Sequence, residues 1–324
     1  MNPIEHAEYD AGWLAEHHPP RFRDPNKQIA WEIARSSGFP FKGQVVYTCW
    51  GEQTPPEQVT GRGQFTIRTG VFDYASTGAG WVDWHVNFAD PVLFGFYGSS
   101  LLAQDELQTL EHPILGSLRE ALISEGYTAR TIGAGGKATP VTVTGVQRRC
   151  VLNTLPDPAA GRPGGLYGNA FGRAPGTQIR AAVRPVNPPT LSNILAIAAP
   201  AGGSGAYRAD TLSSILRTAF SGFAAARQES ERLAGTGCRT VIHTGFWGCG
   251  AFGGNRELMT ILQALAGDLA GVDIVYWTFD VAGQNQAAKA CSAYEALREA
   301  SSGVESILNQ LFQRKYTWGF SDGN

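Results

Sequence analysis

His243-Thr244-Gly245-Phe246-Trp247-Gly248-Cys249-Gly250-Ala251-Phe252-Gly253-Gly254-Asn255 joins an apolar strand to an amphipathic helix through a loop dense in glycine. Thr240, Val241 and Ile242 read as the end of a buried strand. Beyond Asn255 the apolar residues Leu258, Ile261, Leu262, Leu265 and Leu269 recur at helical spacing. A helix therefore starts where the glycines stop. Its first turn leaves about four N–H groups without intrahelical partners, and the aligned peptide dipoles add partial positive charge there. The spacing predicts a seat for phosphate, with Trp247 and Phe252 as walls for a ribose or base. The competing reading is a glycine-rich turn that only lets a helix pack tightly on a sheet.

Composition narrows the classes. The chain has 324 residues, 43% hydrophobic and 17% charged, enough for one large α/β domain with an added subdomain or for two modest domains. Net charge is −2, and no basic run exceeds a pair such as Arg148-Arg149, so neither nucleic acid nor anionic membrane is an expected partner. Cys49, Cys150, Cys238, Cys249 and Cys291 are odd in number and include no CxxC pair, which argues against a disulfide framework and a zinc site. No metal or cofactor is expected, His17-His18 included. The N-terminus is polar and nowhere do ~18 apolar residues run together, so a cytoplasmic protein is expected.

Residues 1–63 are expected to form an accessory region with a helix over Asn26–Ser36, broken further on by Gly38, Pro40, Pro55 and Pro56. From residue 64 onward strands alternate with helices: strands at Phe65–Arg68, Trp81–Phe88, Val141–Gly145, Ile194–Ala199, Thr240–His243 and Ile274–Phe279, and helices from Leu102, over Thr211–Leu233 and over Arg256–Ala270. This alternation predicts helices on both faces of a mostly parallel or mixed sheet. The Pro- and Gly-rich stretch 153–191 reads as a long loop. Gly248-Cys249-Gly250-Ala251-Phe252-Gly253 also satisfies GxGxxG, with Asp273 and Asp280 as nominal ribose acids. Against a dinucleotide fold, only about 45 residues remain beyond the following strand.

Gln104-Asp105-Glu106 opens a second helix, continued by Leu107, Leu110 and Leu115. Acids in a first helical turn complement the macrodipole. Their place after the strand-like Val86–Asp90 and the turn Gly98-Ser99-Ser100 also sets them at a strand's carboxyl end, where ligands of α/β folds sit.

Together these segments resemble the macrodomain-type poly(ADP-ribose) glycohydrolases. Thr244 to Gly254 is similar to that family's diphosphate loop, and Gln104-Asp105-Glu106 to its QEE signature. Weaker echoes follow in order at Thr144–Arg148, Ile194–Ala198, Leu216–Phe223 and Val275–Asp280. The resemblance spans roughly residues 64–280 and implies a three-layer α/β/α sandwich with a mixed central sheet over 64–324. It implies ADP-ribose, free or on a conjugate, as the ligand, held by Asn87, Asp90 and Gly95 together with Thr244 through Phe252. By the same match Glu106 is the catalytic acid, donating a proton to the departing ribose oxygen and then serving as base toward water. Asp105 would bond the ribose hydroxyls and Gln104 would hold the loop. Burial beside Phe88 and Phe252 would raise the pKa of Glu106.

The chain departs from the pattern at set places. Phe94-Gly95-Phe96 stands where the family has three glycines, and Phe246 and Asp90 stand where it has asparagines. No tyrosine matches the one that packs on adenine; Tyr167 and Phe171 are the candidates. An ADP-ribosyl hydrolase, a non-catalytic ADP-ribose reader and a nicotinamide dehydrogenase all remain open. His85 and His243 sit in strand patterns that favour structural roles, with His243 near enough to the loop to touch phosphate. The helix terminus would depress the Cys249 pKa. Arg148 and Arg149 either reach phosphate or face solvent.

Overall fold

The computed structural model describes residues 3–36, 38–200 and 202–321. The chain opens with β1 (Pro3–Asp10), α1 (Ala11–His17), α2 (Pro25–Arg35) and β2 (Gln44–Trp50), followed by β3 (Phe65–Thr69) and β4 (Trp81–Phe88). Next come α3 (Gln104–Glu111), α4 (Ile114–Ser124), β5 (Val141–Leu152), α5 (Asn169–Arg173), α6 (Gly176–Ala182) and β6 (Val183–Ile197). The last third runs through α7 (Ala209–Ala234), β7 (Arg239–Gly245), α8 (Arg256–Ala270), β8 (Asp273–Thr278), α9 (Val281–Ala300) and α10 (Val304–Gln313).

The strands form one mixed sheet in the order β1-β2-β5-β6-β4-β7-β8-β3. β6, β4, β7, β8 and β3 run parallel, whereas β5 is antiparallel to both β2 and β6, and β1 to β2. Alternation along β4 shows how the layers arise. Val82, Trp84 and Val86 enter a core shared with α7, α8, α9 and α10, while the residues between them turn to the opposite face. That opposite face is covered over β2, β5 and β6 by apolar side chains of α1, α2, α3, α4 and α6. Over Val241, Val275 and Trp277 it is covered instead by Phe72, which lies on the loop after β3. The result is a three-layer α/β/α sandwich, as the alternation predicted.

Three local features differ from the sequence reading. The helix expected from Leu102 is two helices, because His112 ends α3 and Pro113, which cannot donate a backbone hydrogen bond, precedes α4. The stretch 153–191 is less of a loop than its composition implies: it holds α5, α6 and the first half of β6, which pairs back along β5 from Leu152↔Val183. Residues before β3 contribute two strands to the sheet as well as α1 and α2. Helix α2 itself starts as its sequence dictates, with Asp24 accepting from the Asn26 and Lys27 N–H groups and Pro25 in the first turn.

Candidate active site

Because β3, β4, β6, β7 and β8 are parallel, their carboxyl ends meet along one edge, and a cavity of about 560 Å³ opens there. One wall is the glycine loop: Thr244 through Phe252 all line the cavity, joined by Arg256 from α8. The loop closes on itself through Gly254 N–H donating to Gly248 O (2.8 Å) and Gly253 N–H donating to Gly250 O (2.9 Å). A Cβ on Gly254 would lie 2.6 Å from Gly248 O, so the turn requires glycine at that place. Asn255 caps α8 by accepting the Leu258 N–H (3.1 Å). The N–H groups of Gly248, Gly250, Ala251 and Phe252 have no backbone carbonyl partner among the described residues, which leaves the loop rich in donors. Phe246 lies under the Arg256 guanidinium (4.6 Å), and Trp247 is fully buried, its indole N–H donating to Ile197 O (3.0 Å).

The facing wall is α3. Ala103, Gln104, Leu107, Gln108 and Glu111 line the cavity, so of the triplet Gln104-Asp105-Glu106 only Gln104 faces the glycine loop across it. Gln104 is the stitch between helix and sheet: its Oε1 accepts the Phe88 N–H (2.7 Å) and its Nε2 donates to Val86 O (3.0 Å), continuing β4 by one side chain.

Asp105 and Glu106 are buried and are not among the residues lining the cavity. Glu106 folds back so that Oε2 accepts the Ala103 N–H (2.9 Å), which puts its carboxyl one hydrogen bond behind the cavity wall. Asp105 Oδ1 accepts from Asn87 Nδ2 (3.0 Å), and Asp105 Oδ2 and Asn87 Oδ1 are buried without a partner. Burial raises the pKa of both carboxyls, each opposed in part by the cation of Lys27. Desolvation is the largest cause at Glu106, as expected, with the cation of Lys27 opposing it and the Asp90 carboxylate adding to it.

Lys27 comes from the N-terminal region. It is fully buried, donates from Nζ to Tyr97 O (2.8 Å), and desolvation brings its pKa down to about 8. The same region pins the segment before the acids. Arg23 and Asp24 N–H groups both donate to Gly98 O, and a Cβ on Gly98 would lie 2.4 Å from Arg21 O. Within that segment Phe94 is fully buried at φ 50°, while Gly95 donates its N–H to Val92 O and Phe96 is exposed. Asp90 Oδ1 accepts the Val92 N–H (2.9 Å). Asn87, Asp90 and Gly95 do not line the cavity.

The remaining candidates separate cleanly. His243 is buried below the cavity, with Nε2 on Asp83 (2.9 Å) and Nδ1 accepting from Trp277 (3.2 Å), and its ring stacks on His85 at 4.4 Å. Neither histidine lines the cavity. The Cys249 thiol goes against expectation: desolvation pushes its pKa up to about 12 rather than down. Tyr167 lines the cavity and meets Phe279 edge-on at 6.1 Å, whereas Phe171 is buried in the core. Arg149 is buried and holds the Phe39 carbonyl, while Arg148 forms a buried ion pair with Glu111 at the cavity wall. Glu111, Gln108, Tyr74 and Phe279 went unnoticed in the sequence. The i, i+3, i+4, i+7 spacing of Gln104, Leu107, Gln108 and Glu111 was the available signal for the first two.

A three-layer sandwich with a mixed sheet and a donor-rich glycine loop at the strand carboxyl ends is macrodomain-like. Residues 180–286 match the family model for poly(ADP-ribose) glycohydrolase (PARG), macro domain fold, which fits a divergent relative of that family. Among solved structures, the chain is similar to the poly(ADP-ribose) glycohydrolase of Thermomonospora curvata bound to the inhibitor ADP-HPD. Identity there is 17%, covering 87% of this chain and 97% of that one, with a TM-score of 0.49. It is also similar to the enzyme of Deinococcus radiodurans in complex with ADP-ribose, at 13% identity, 90% and 95% coverage and a TM-score of 0.41. No helix among the described residues is long and apolar enough to cross a membrane.

Proposed function

We propose that this chain binds ADP-ribose, with the diphosphate on the Thr244–Gly254 loop, and hydrolyses an O-glycosidic ADP-ribosyl linkage on a polymer or a conjugated acceptor. The observation that carries the reading is the meeting of two walls on one cavity, backbone donors on one side and the first turn of α3 on the other. In this reading residues 64–324 are the macrodomain-like catalytic unit, and residues 1–63 are an accessory region that closes the acid side through Lys27.

Glu106 is the general acid. Its raised pKa favours the protonated carboxyl, and rotation from the Ala103 N–H toward the cavity presents that proton to the leaving oxygen as the ribose C–O bond breaks toward an oxocarbenium ion. The carboxylate then takes a proton from the water that attacks the same carbon. Asp105 orients ribose hydroxyls with its unpartnered Oδ2, and Gln104 keeps the helix start fixed to β4.

One observation favours the second reading, a reader that keeps the diphosphate seat without turnover: Glu106 is only 3% exposed and its carboxyl is engaged by its own helix start. Glu106→Gln decides between them. With an ADP-ribosylated peptide and an ADP-ribose titration run side by side, hydrolysis predicts loss of release with affinity retained. The reader predicts that the wild-type chain releases nothing.

A further inference from the structure

Residues 253–255, where the glycine loop gives way to α8, are held by groups that do not line the cavity. After α10 the chain returns to this place and pairs with the segment between β6 and α7. Tyr207 N–H donates to Tyr316 O (2.9 Å), Trp318 N–H donates to Gly205 O (3.0 Å), and Ala206 and Thr317 form an antiparallel bridge between them. The Tyr207 and Trp318 rings stack at 4.2 Å. A Cβ on Gly203 would lie 2.2 Å from the Trp318 indole, so glycine there leaves the ring its seat. Tyr316 adds a bond from its hydroxyl to Glu257 Oε1 (2.7 Å), in the first turn of α8.

These contacts converge on two consecutive peptide units. In the unit joining Gly253 to Gly254, the N–H closes the loop on Gly248 O (2.8 Å) and the carbonyl accepts the Gly319 N–H (2.8 Å). Because a peptide unit is planar, holding its carbonyl also sets the direction of its N–H. In the next unit the Asn255 N–H donates to the Tyr207 hydroxyl (2.9 Å). The Asn255 side chain divides in the same way: Oδ1 accepts the Leu258 N–H (3.1 Å) and caps α8, while Nδ2 donates to Thr317 O (3.0 Å). Gly253 has φ 64°, and a Cβ there would lie 3.2 Å from both Gly319 O and Ser321 N, so the left-handed turn and the close approach both favour glycine.

We propose that Tyr207 and Trp318 are positioning residues for the anion seat, acting through a strap, residues 316–320, that orients the peptides of 253–255 and with them the N–H groups of 250–252. Gly253 transmits the hold inward, since its own N–H donates to Gly250 O (2.9 Å). The docked strap favours the phosphate-binding form of the loop, and by linkage bound ligand favours the docked strap to the same degree. The inference rests on the ADP-ribose reading above.

The test is isothermal titration with ADP-ribose of the full chain and of its Trp318→Ala, Trp318→Phe and Gly203→Ala variants, with amide exchange at Gly319 followed by NMR in the wild type. Gly203→Ala, at a residue outside the left-handed region, pushes the indole off its seat without altering loop or strap, and stands in if Trp318→Ala does not fold. Both disrupting variants are expected to weaken ADP-ribose binding about tenfold, and Trp318→Phe, which keeps a ring on Tyr207, to restore most of the affinity. Saturating ADP-ribose is expected to slow Gly319 exchange in the wild type by a similar factor, whereas a strap that served stability alone would leave that rate unchanged. Affinities within about twofold of wild type in the disrupting variants, or Gly319 exchange indifferent to ligand, overturn the positioning role alone. No binding of ADP-ribose by the wild type overturns it together with the reading it rests on.

Discussion

The two walls of the cavity are built from different materials. The glycine loop presents backbone N–H groups held by a turn, so a side-chain change such as the one at Phe246 leaves its donors in place. The α3 wall presents side chains whose directions depend on what packs behind them, here Lys27, Tyr97 and the segment 91–103. Divergence of sequence is therefore cheap on the first wall and consequential on the second.

Mutations should expose that contrast, beginning with the α3 wall. Arg148→Met strands Glu111 as a buried carboxylate and is expected to cost about 3–5 kcal/mol of stability in urea unfolding. A cost under about 1 kcal/mol would mean that the pair is solvated and the wall loosely built. On the loop wall, Gly254→Ala sets a Cβ against the Gly248 carbonyl and should cost about 1–3 kcal/mol while removing ADP-ribose affinity. Retained affinity there would show that the ligand does not use the turn.

Acidity sharpens the comparison further, since the loop wall contributes no carboxyl while Asp105 and Glu106 sit behind the other. Both hold their protons more tightly folded than unfolded. Each stabilising contribution is complete below the ordinary carboxylate range and is lost as pH rises through the raised folded value. Asp90 raises both further, Lys27 opposes both, and the lowered Lys27 pKa acts only in the alkaline range. Against the opposite slope below pH 6.5 from His85 and His112, whose pKa values burial lowers, the contribution of Asp105 should therefore fall as pH rises from about 5 to about 8, by at most about 1.4 kcal/mol per pH unit. Asp105→Asn should flatten that slope, and an unchanged slope would place the titration elsewhere. The smallest effect belongs to Asn255→Ala, which removes the α8 cap and should cost about 1 kcal/mol in the same assay.

The same contrast explains what could be read from the chain before its structure. Strand β7, the glycine loop and α8 were legible because each is specified locally, by an apolar run, by turn residues and by a helical period. The eight-residue β4 and the start of α3 were legible for the same reason. The surroundings of Glu106 were not, because Lys27 and Tyr97 meet across 70 residues of sequence and no local pattern encodes that contact. Strands β1 and β2 escaped notice among prolines and glycines that also fit a loop. Cys249 was misjudged because proximity to a helix start was weighed without the burial that outweighs it.

The central claim is that the glycine loop seats a diphosphate in the cavity it shares with α3. Isothermal titration of the wild-type chain with ADP-ribose tests it directly. The account predicts saturable one-to-one binding that free ADP competes away, and absence of binding at millimolar ligand would contradict it.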